Sequence, residues 1–223
     1  MIPPIVFVDV DVQRDFCDAD GALSVAGAPN ALFRAIVAAA VAQGSPIIGS
    51  VDSHAHDAWE FASSGNVGPG GETPRFPDHC VKGTPGWLKV EGTLPPRFRF
   101  VPNVPGQAMA PLVAELLTGR TQGLYFEKEV YSLFANPNAT SLVTALRDAI
   151  AKREGTAPRF AVFGVATDYC VRAAAKGLRE HGCQVLLLED AIAGIDPVGS
   201  RAAIDELEAM GVTRGHVTDL GIC

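Results

Sequence analysis

FAVFGVATDYCVRAAAKGLRE, Phe160 to Glu180, is the stretch that decides the fold. Its first part, Phe160 to Val165, is an apolar run of strand length. Its last part, Val171 to Glu180, carries alanines and spaced charges that read as a helix. Cys170 therefore falls at a strand-to-helix junction. A thiol in the first turn of a helix feels the positive end of the dipole, which favours the thiolate over an ordinary thiol pKa of roughly 8.5. A lone cysteine is more often a half-buried core residue than a nucleophile. The rest of the chain has to separate these two readings.

Working outward, the same strand-then-helix rhythm recurs. Ile5 to Val12 is β-branched and apolar apart from Asp9 and Asp11, as a buried parallel strand is. Asn30 to Gln43 reads as a helix ending at Gly44, and Pro46 to Val51 as a strand ending in Asp52. Later come a helix over Ala108 to Leu117, a strand over Gly123 to Phe126, and a helix over Asn138 to Arg153 with Asn138 or Thr140 as its cap. Gln184 to Leu188 reads as a strand, Pro197 to Met210 as a helix with proline in its first turn, and His216 to Val217 as a short last strand. Alternation of this kind implies right-handed crossovers and a mostly parallel sheet, an α/β fold. Without internal repeat or linker, the chain reads as one domain over residues 1–223, with a loop-rich segment at about 53–105. A loop that long in a compact domain is usually functional or disordered.

Composition narrows the function. The chain has 223 residues, 48% of them hydrophobic and 19% charged, with a formal charge of −7. That balance is globular and offers no basic footprint for nucleic acid or an anionic membrane. A small neutral or cationic substrate suits it better. No stretch reaches the roughly 18 uninterrupted apolar residues of a membrane span, and the start MIPPIVFVDV lacks the basic region and cleavage motif of a leader. The expected location is cytoplasmic. The five cysteines (Cys17, Cys80, Cys170, Cys183, Cys223) form no CxxC pair, which argues against a disulfide framework and a thiolate zinc site.

Two constellations carry chemistry. Asp11, Lys128 and Cys170 each lie at or just past an expected strand end, and in a doubly wound sheet those ends converge on one edge. There Asp11 can take the thiol proton and deliver it to a leaving amine. Lys128 can hold a neighbouring carboxylate ionised, and backbone N–H groups near Ala166 and Cys170 can receive an oxyanion. Taken alone, Lys128 is more often a solvated charge, whereas Asp11 in so apolar a strand needs a reason to be there. Asp9 shares the face of Asp11 by alternation and reads as the structural partner of a basic residue. The second constellation is DSHAHDAWEF, Asp52 to Phe61, with FPDHC, Phe76 to Cys80. Asp52 and His54 leave an extended backbone on one face, and His79 completes an O/N set suited to zinc, iron or manganese. His56, Asp57 and Glu60 are competing or additional ligands. The glycines of GNVGPGG, Gly65 to Gly71, lack the Lys-Ser/Thr of a phosphate loop and read as a lid tip.

Several motifs together resemble one family. VDVQRDFC (Val10 to Cys17), the pair Asp52 and His54, FPDHCVKGTPG (Phe76 to Gly86), Lys128 followed by YSLF (Tyr131 to Phe134), and GVATDYCV (Gly164 to Val171) have the order and spacing of nicotinamidases within the isochorismatase-like cysteine hydrolases. The resemblance runs from the first strand to the last. It implies a three-layer αβα fold with a six-stranded parallel sheet, an Asp11, Lys128, Cys170 triad, and a cis peptide before Ala166. Ala166 and Cys170 are implied as the oxyanion-hole donors, and Thr167 or Asp168 as the helix cap. Asp52, His54 and His79 are implied as ligands of one divalent metal ion, zinc first. Phe16, Phe76, Val165 and Tyr169 are implied as walls around a flat ring. The implied reaction is hydrolysis of nicotinamide to nicotinate and ammonia through a thioester, feeding NAD salvage, in a monomer or homo-oligomer. Glu60 stands where some nicotinamidases place a further histidine, and Phe76 where tryptophan is frequent. Tyr169 stands where histidine or another residue occurs. These departures bear on metal preference and ring specificity. The alternatives are a related hydrolase of another small amide, ureide or carbamoyl compound, and a non-catalytic scaffold of the same fold, which would have lost the triad.

Overall fold

The computed structural model describes residues 3–68 and 70–222. Seven strands form one parallel sheet: β1 (Ile5–Val10), β2 (Ile47–Asp52), β3 (Phe98–Val101), β4 (Gly123–Lys128), β5 (Arg159–Val165), β6 (Gln184–Ala193) and β7 (Thr213–Gly215). Their order is β3-β4-β2-β1-β5-β6-β7. The helices are α1 (Arg14–Cys17), α2 (Asn30–Gln43), α3 (Met109–Leu117), α4 (Ala139–Glu154), α5 (Arg172–Glu180) and α6 (Pro197–Ala209).

Period-two alternation explains the three layers. In β1, Val6, Val8 and Val10 face the core shared with Val113 of α3, Leu146 of α4 and Leu178 of α5. Phe7 faces the other core, with Phe33, Ile36 and Val37 of α2. Both faces of the central strands are thus covered, which is why they read as continuous apolar runs rather than alternating ones.

Three expectations need correction. The sheet has seven strands, not six. The extra strand β3 lies inside the segment expected to be loop. It is an edge strand of only four residues, FRFV, with Phe98 and Arg99 exposed, so it lacks the apolar run that marks a buried strand. The last strand is Thr213–Gly215, and His216 instead caps a 3-10 turn, Val217–Leu220. Asn138 does occupy the N-cap of α4, but its side chain makes no cap bond; its amide donates to Val104 O at 2.8 Å.

The topology positions the site. From β1 the chain passes to β2, out to the edge strand β3 and back to β4 between them, then returns to the far side of β1 as β5. That reversal beside β1 is a topological switch point, where open α/β sheets place their crevices. Gly164 in β5 permits the close approach of the two central strands. Its φ is 123°, and a Cβ there would lie 2.0 Å from Val10 O.

Candidate active site

Four neighbouring strands deliver one cluster. Asp11 follows β1, Asp52 ends β2, Lys128 ends β4 and Cys170 follows β5. Lys128 Nζ lies 2.9 Å from Asp11 Oδ2 and 3.6 Å from Cys170 Sγ, and it donates to Asp52 Oδ1. Asp11 and Lys128 are fully buried. Asp11 sits at φ 50°, a left-handed conformation that aspartate tolerates better than most residues. This residue also breaks the strand alternation. Asp9 and Asp11 therefore serve different cations: Asp9 Oδ1 accepts from Lys89 Nζ at 2.5 Å.

Cys170 does not lie in the first turn of an α-helix. It sits in a π-helical turn, Thr167–Val171, and α5 begins only at Arg172. The expected dipole-favoured thiolate is overturned as well. Burial pushes the Cys170 thiol well above its ordinary pKa; Lys128 pulls it down, while Asp11 and Asp52 push it up. A thiol raised in this way needs a base coupled to its ionisation. Asp11 has the right character, because burial raises its carboxyl against the pull of Lys128, with Asp52 adding to the rise. Burial would also raise Asp52, but Lys128 and His54 outweigh it and hold that carboxylate below the usual range. Burial would lower Lys128, yet Asp11 and Asp52 keep it raised and charged.

A second cluster adjoins the first through Asp52. His54 Nε2 lies 2.8 Å from Glu60 Oε1 and 3.8 Å from Asp52 Oδ2. His79 Nε2 lies 3.4 Å from the same Glu60 oxygen. His79 Nδ1 is fixed by Pro77 O at 2.8 Å, which aims Nε2 inward, the arrangement expected of a metal-ligating imidazole. Neither ring nitrogen of His54 has a hydrogen bond of good geometry among the described residues, although both are buried. Burial would lower His54, but Asp52 and Glu60 raise it to about 9, a measure of the negative field waiting for a cation. Asp52, His54 and His79 offer ligand atoms within 4.8 Å of one another. Donor chemistry and orphaned nitrogens together fit a divalent metal ion, with Glu60 inside the cluster. His56 and Asp57, weighed as competing ligands, are exposed. Asp11, Asp52 and Cys170 form another close trio. The Lys128 ammonium already supplies its cation.

The walls follow from the loops. Phe16, Phe76 and Tyr169 line a cavity of about 30 Å³ together with Ala166 and Cys170. Val165 is fully buried in the core on the α2 side, and the cavity wall passes through Ala166 instead. The Val165–Ala166 peptide is cis. Neither Thr167 nor Asp168 caps a helix. Asp168 instead accepts from Ile195 N at 3.0 Å and Asp196 N at 2.8 Å. This ties the cysteine turn to Ile195, a further residue of the cavity wall, as is Leu23.

Sequence reasoning missed these two wall residues, and it missed Gln13. The Gln13 side chain accepts from Asp52 N at 2.7 Å and donates to Asp52 O at 2.8 Å, clamping the backbone of the shared carboxylate. Its place in VDVQRDFC was visible, but the partner 39 residues away was not. Lys89 was also unmarked, though the need for a basic partner to Asp9 was legible.

Comparison with known proteins agrees with this architecture. The isochorismatase domain family matches residues 5–219. The nicotinamidase/pyrazinamidase of Mycobacterium tuberculosis is 30% identical over 205 residues, covering 91% of this chain and 94% of the relative. The nicotinamidase of Escherichia coli is 28% identical, covering 98% and 97%. Among solved structures, the pyrazinamidase of Pyrococcus horikoshii in complex with zinc is 25% identical with a TM-score of 0.65, covering 96% of this chain and 99% of that one. With residues 5–219 matched by that family and a relative 30% identical over 91% of its length, the chain belongs to the isochorismatase family.

Proposed function

We propose that this protein is a metal-dependent cysteine amidohydrolase that converts nicotinamide and water to nicotinate and ammonia, serving NAD salvage in the cytoplasm. The observation that carries the reading is a buried thiol and a buried carboxylate sharing one lysine, Lys128, beside a set of histidine and carboxylate donors. The nicotinamidase names of the relatives support the choice of substrate.

Asp11 acts as the base and Cys170 as the nucleophile. As Sγ attacks the carboxamide carbon, Asp11 accepts the thiol proton, and Lys128 offsets the charge that passes between them. The N–H groups of Ala166 and Cys170 donate to the oxyanion of the tetrahedral intermediate. Asp11 returns the proton to the departing nitrogen, ammonia leaves, and an acyl thioester remains on Cys170. Asp11 then takes a proton from a water that attacks the thioester carbon. Collapse of the second intermediate releases the acid and restores the thiol. Phe16, Phe76 and Tyr169 hold the ring so that its carboxamide reaches Sγ, and an apolar wall keeps stray water from the thiol.

Asp52, His54, His79 and Glu60 would hold the metal, zinc by likeness to the Pyrococcus complex. When bound there, a divalent ion supplies Lewis acidity and a positive field at the ring end of the pocket.

The test is ammonia release by purified protein from nicotinamide, pyrazinamide, benzamide and an aliphatic amide. The reading expects the two heteroaromatic amides to lead. Equal turnover of the aliphatic amide would remove the assignment to nicotinamide.

A further inference from the structure

The cavity at Cys170 is not the only one that Phe76 and Tyr131 border. Outside it lies a second cavity of about 270 Å³, lined by Trp59, Val130 and Thr73, with Glu60, Phe76 and Tyr131 common to both. The inner cavity, at about 30 Å³, has room for only two or three waters at 10–15 Å³ each. A flat ring can enter only if its walls move. Phe76 and Tyr131 are two walls that can move, because both are partly exposed and pack edge-on or tilted against Tyr169, at 5.9 and 5.2 Å between ring centroids. Asp52, His79, Ala166 and Cys170 are buried walls, whereas Leu23 is half-buried and Ile195 exposed on another side. Opening the pocket on the Phe76 and Tyr131 side opens it toward the outer cavity.

The lining of that cavity names its occupant. Trp59, Phe76 and Tyr131 offer aromatic surface, Val130 is 38% exposed, and Arg75 lies with its guanidinium 5.9 Å from the Phe76 ring centroid. Glu72, the one carboxylate besides Glu60 in this lining, accepts from Gly70 N at 2.8 Å. Aromatic surface with a cation at its edge receives a second uncharged aromatic group by stacking.

We propose that the cavity lined by Trp59, Val130 and Tyr131 is a second subsite, which accepts an aryl group carried on the substrate ring away from the carboxamide. The proposal rests on the amidohydrolase reading above and widens its substrate class from bare pyridine carboxamides to aryl-substituted ones. The outer subsite contributes stacking and burial, while the bond broken remains the carboxamide C–N bond.

The test is ammonia release from nicotinamide and from nicotinamides bearing one phenyl group at each free ring carbon in turn, with the native protein and with Val130→Trp and Thr73→Trp. Both substitutions fill the outer cavity from positions that line it and not the inner one. The proposal expects at least one phenyl isomer to reach a kcat/KM within about tenfold of nicotinamide. It expects either variant to lower that value at least about tenfold while nicotinamide stays within about twofold. If every phenyl isomer falls below that range while nicotinamide is turned over, the subsite is overturned and the nicotinamide reading stands. Turnover of a phenyl isomer without turnover of nicotinamide overturns the nicotinamide reading and leaves the subsite. Variants that change neither substrate, or both equally, overturn the subsite.

Discussion

Two lysines are buried in this molecule, and they differ in how their charge is answered. Lys89 meets one carboxylate, Asp9 at 2.5 Å, and lies 4.9 Å from the Tyr125 ring centroid. One positive charge faces one negative charge. Lys128 meets two carboxylates and a thiol, Asp11 and Cys170 at 2.9 and 3.6 Å with Asp52 in contact. One positive charge faces more acidic groups than it can satisfy, so a proton must reside somewhere among them. The balanced pair is structural. The unbalanced cluster can move a proton.

The comparison breaks most visibly at the thiol. Cys170→Ala removes the nucleophile and is expected to lower turnover by roughly 10⁴-fold or more, with the fold retained by circular dichroism. Full activity in that variant would end the cysteine assignment. Asp11→Asn removes the base while keeping the side-chain shape, and a fall of about 10²–10⁴-fold in kcat is expected by steady-state assay. Because Asp11 must be ionised to take the thiol proton and burial raises its carboxyl, kcat/KM should decline on acidification at a pH above the ordinary aspartate range. An acid limb at or below that range would contradict this role.

Lys89→Met tests the balanced side. It strands Asp9 in the core and is expected to cost about 3–5 kcal/mol, read as a fall in Tm of about 2–4 °C per kcal/mol. Here the pH sign is specific. Burial raises Asp9 above its unfolded value even with Lys89 present, so its protonated form stabilises the fold at low pH, and that contribution is lost as pH rises through the folded pKa. Without Lys89 the folded value climbs further, so the deficit should shrink on acidification. A deficit independent of pH would mean that Lys89 acts through packing alone. The double variant Asp9→Asn with Lys89→Met should recover part of the loss.

The smallest effect concerns the cavity wall. Asp168→Ala frees Ile195 N and Asp196 N and should raise KM several-fold with kcat changed less, whereas Asp168→Asn keeps one acceptor and should restore part of the difference. Equal loss in both constants would assign Asp168 to the cysteine turn itself.

What the chain disclosed follows from physical range. The central strands were legible because both their faces are buried, and Asp11, Lys128 and Cys170 because each lies at a strand end. The acidic and histidine donors stood out by residue type. β3 escaped because an exposed four-residue edge carries no apolar run. Gln13, Lys89 and Ile195 escaped for another reason: each acts on a residue tens of positions away, and nothing local marks the partner. The state of the thiol was misread because the local helix dipole was weighed without the burial that raises its pKa most, and without the carboxylates that the fold brings beside it.

Asp11 at φ 50° also dictates how this chemistry should be dissected. A left-handed backbone accepts asparagine and aspartate far more readily than alanine. Alanine scanning at this position would therefore mix a backbone penalty of about 1–3 kcal/mol with the loss of the base, and the two could not be separated afterwards. The isosteric amide leaves the chain conformation alone and removes only the charge. At this one residue, the choice of mutant decides whether an experiment measures folding or catalysis.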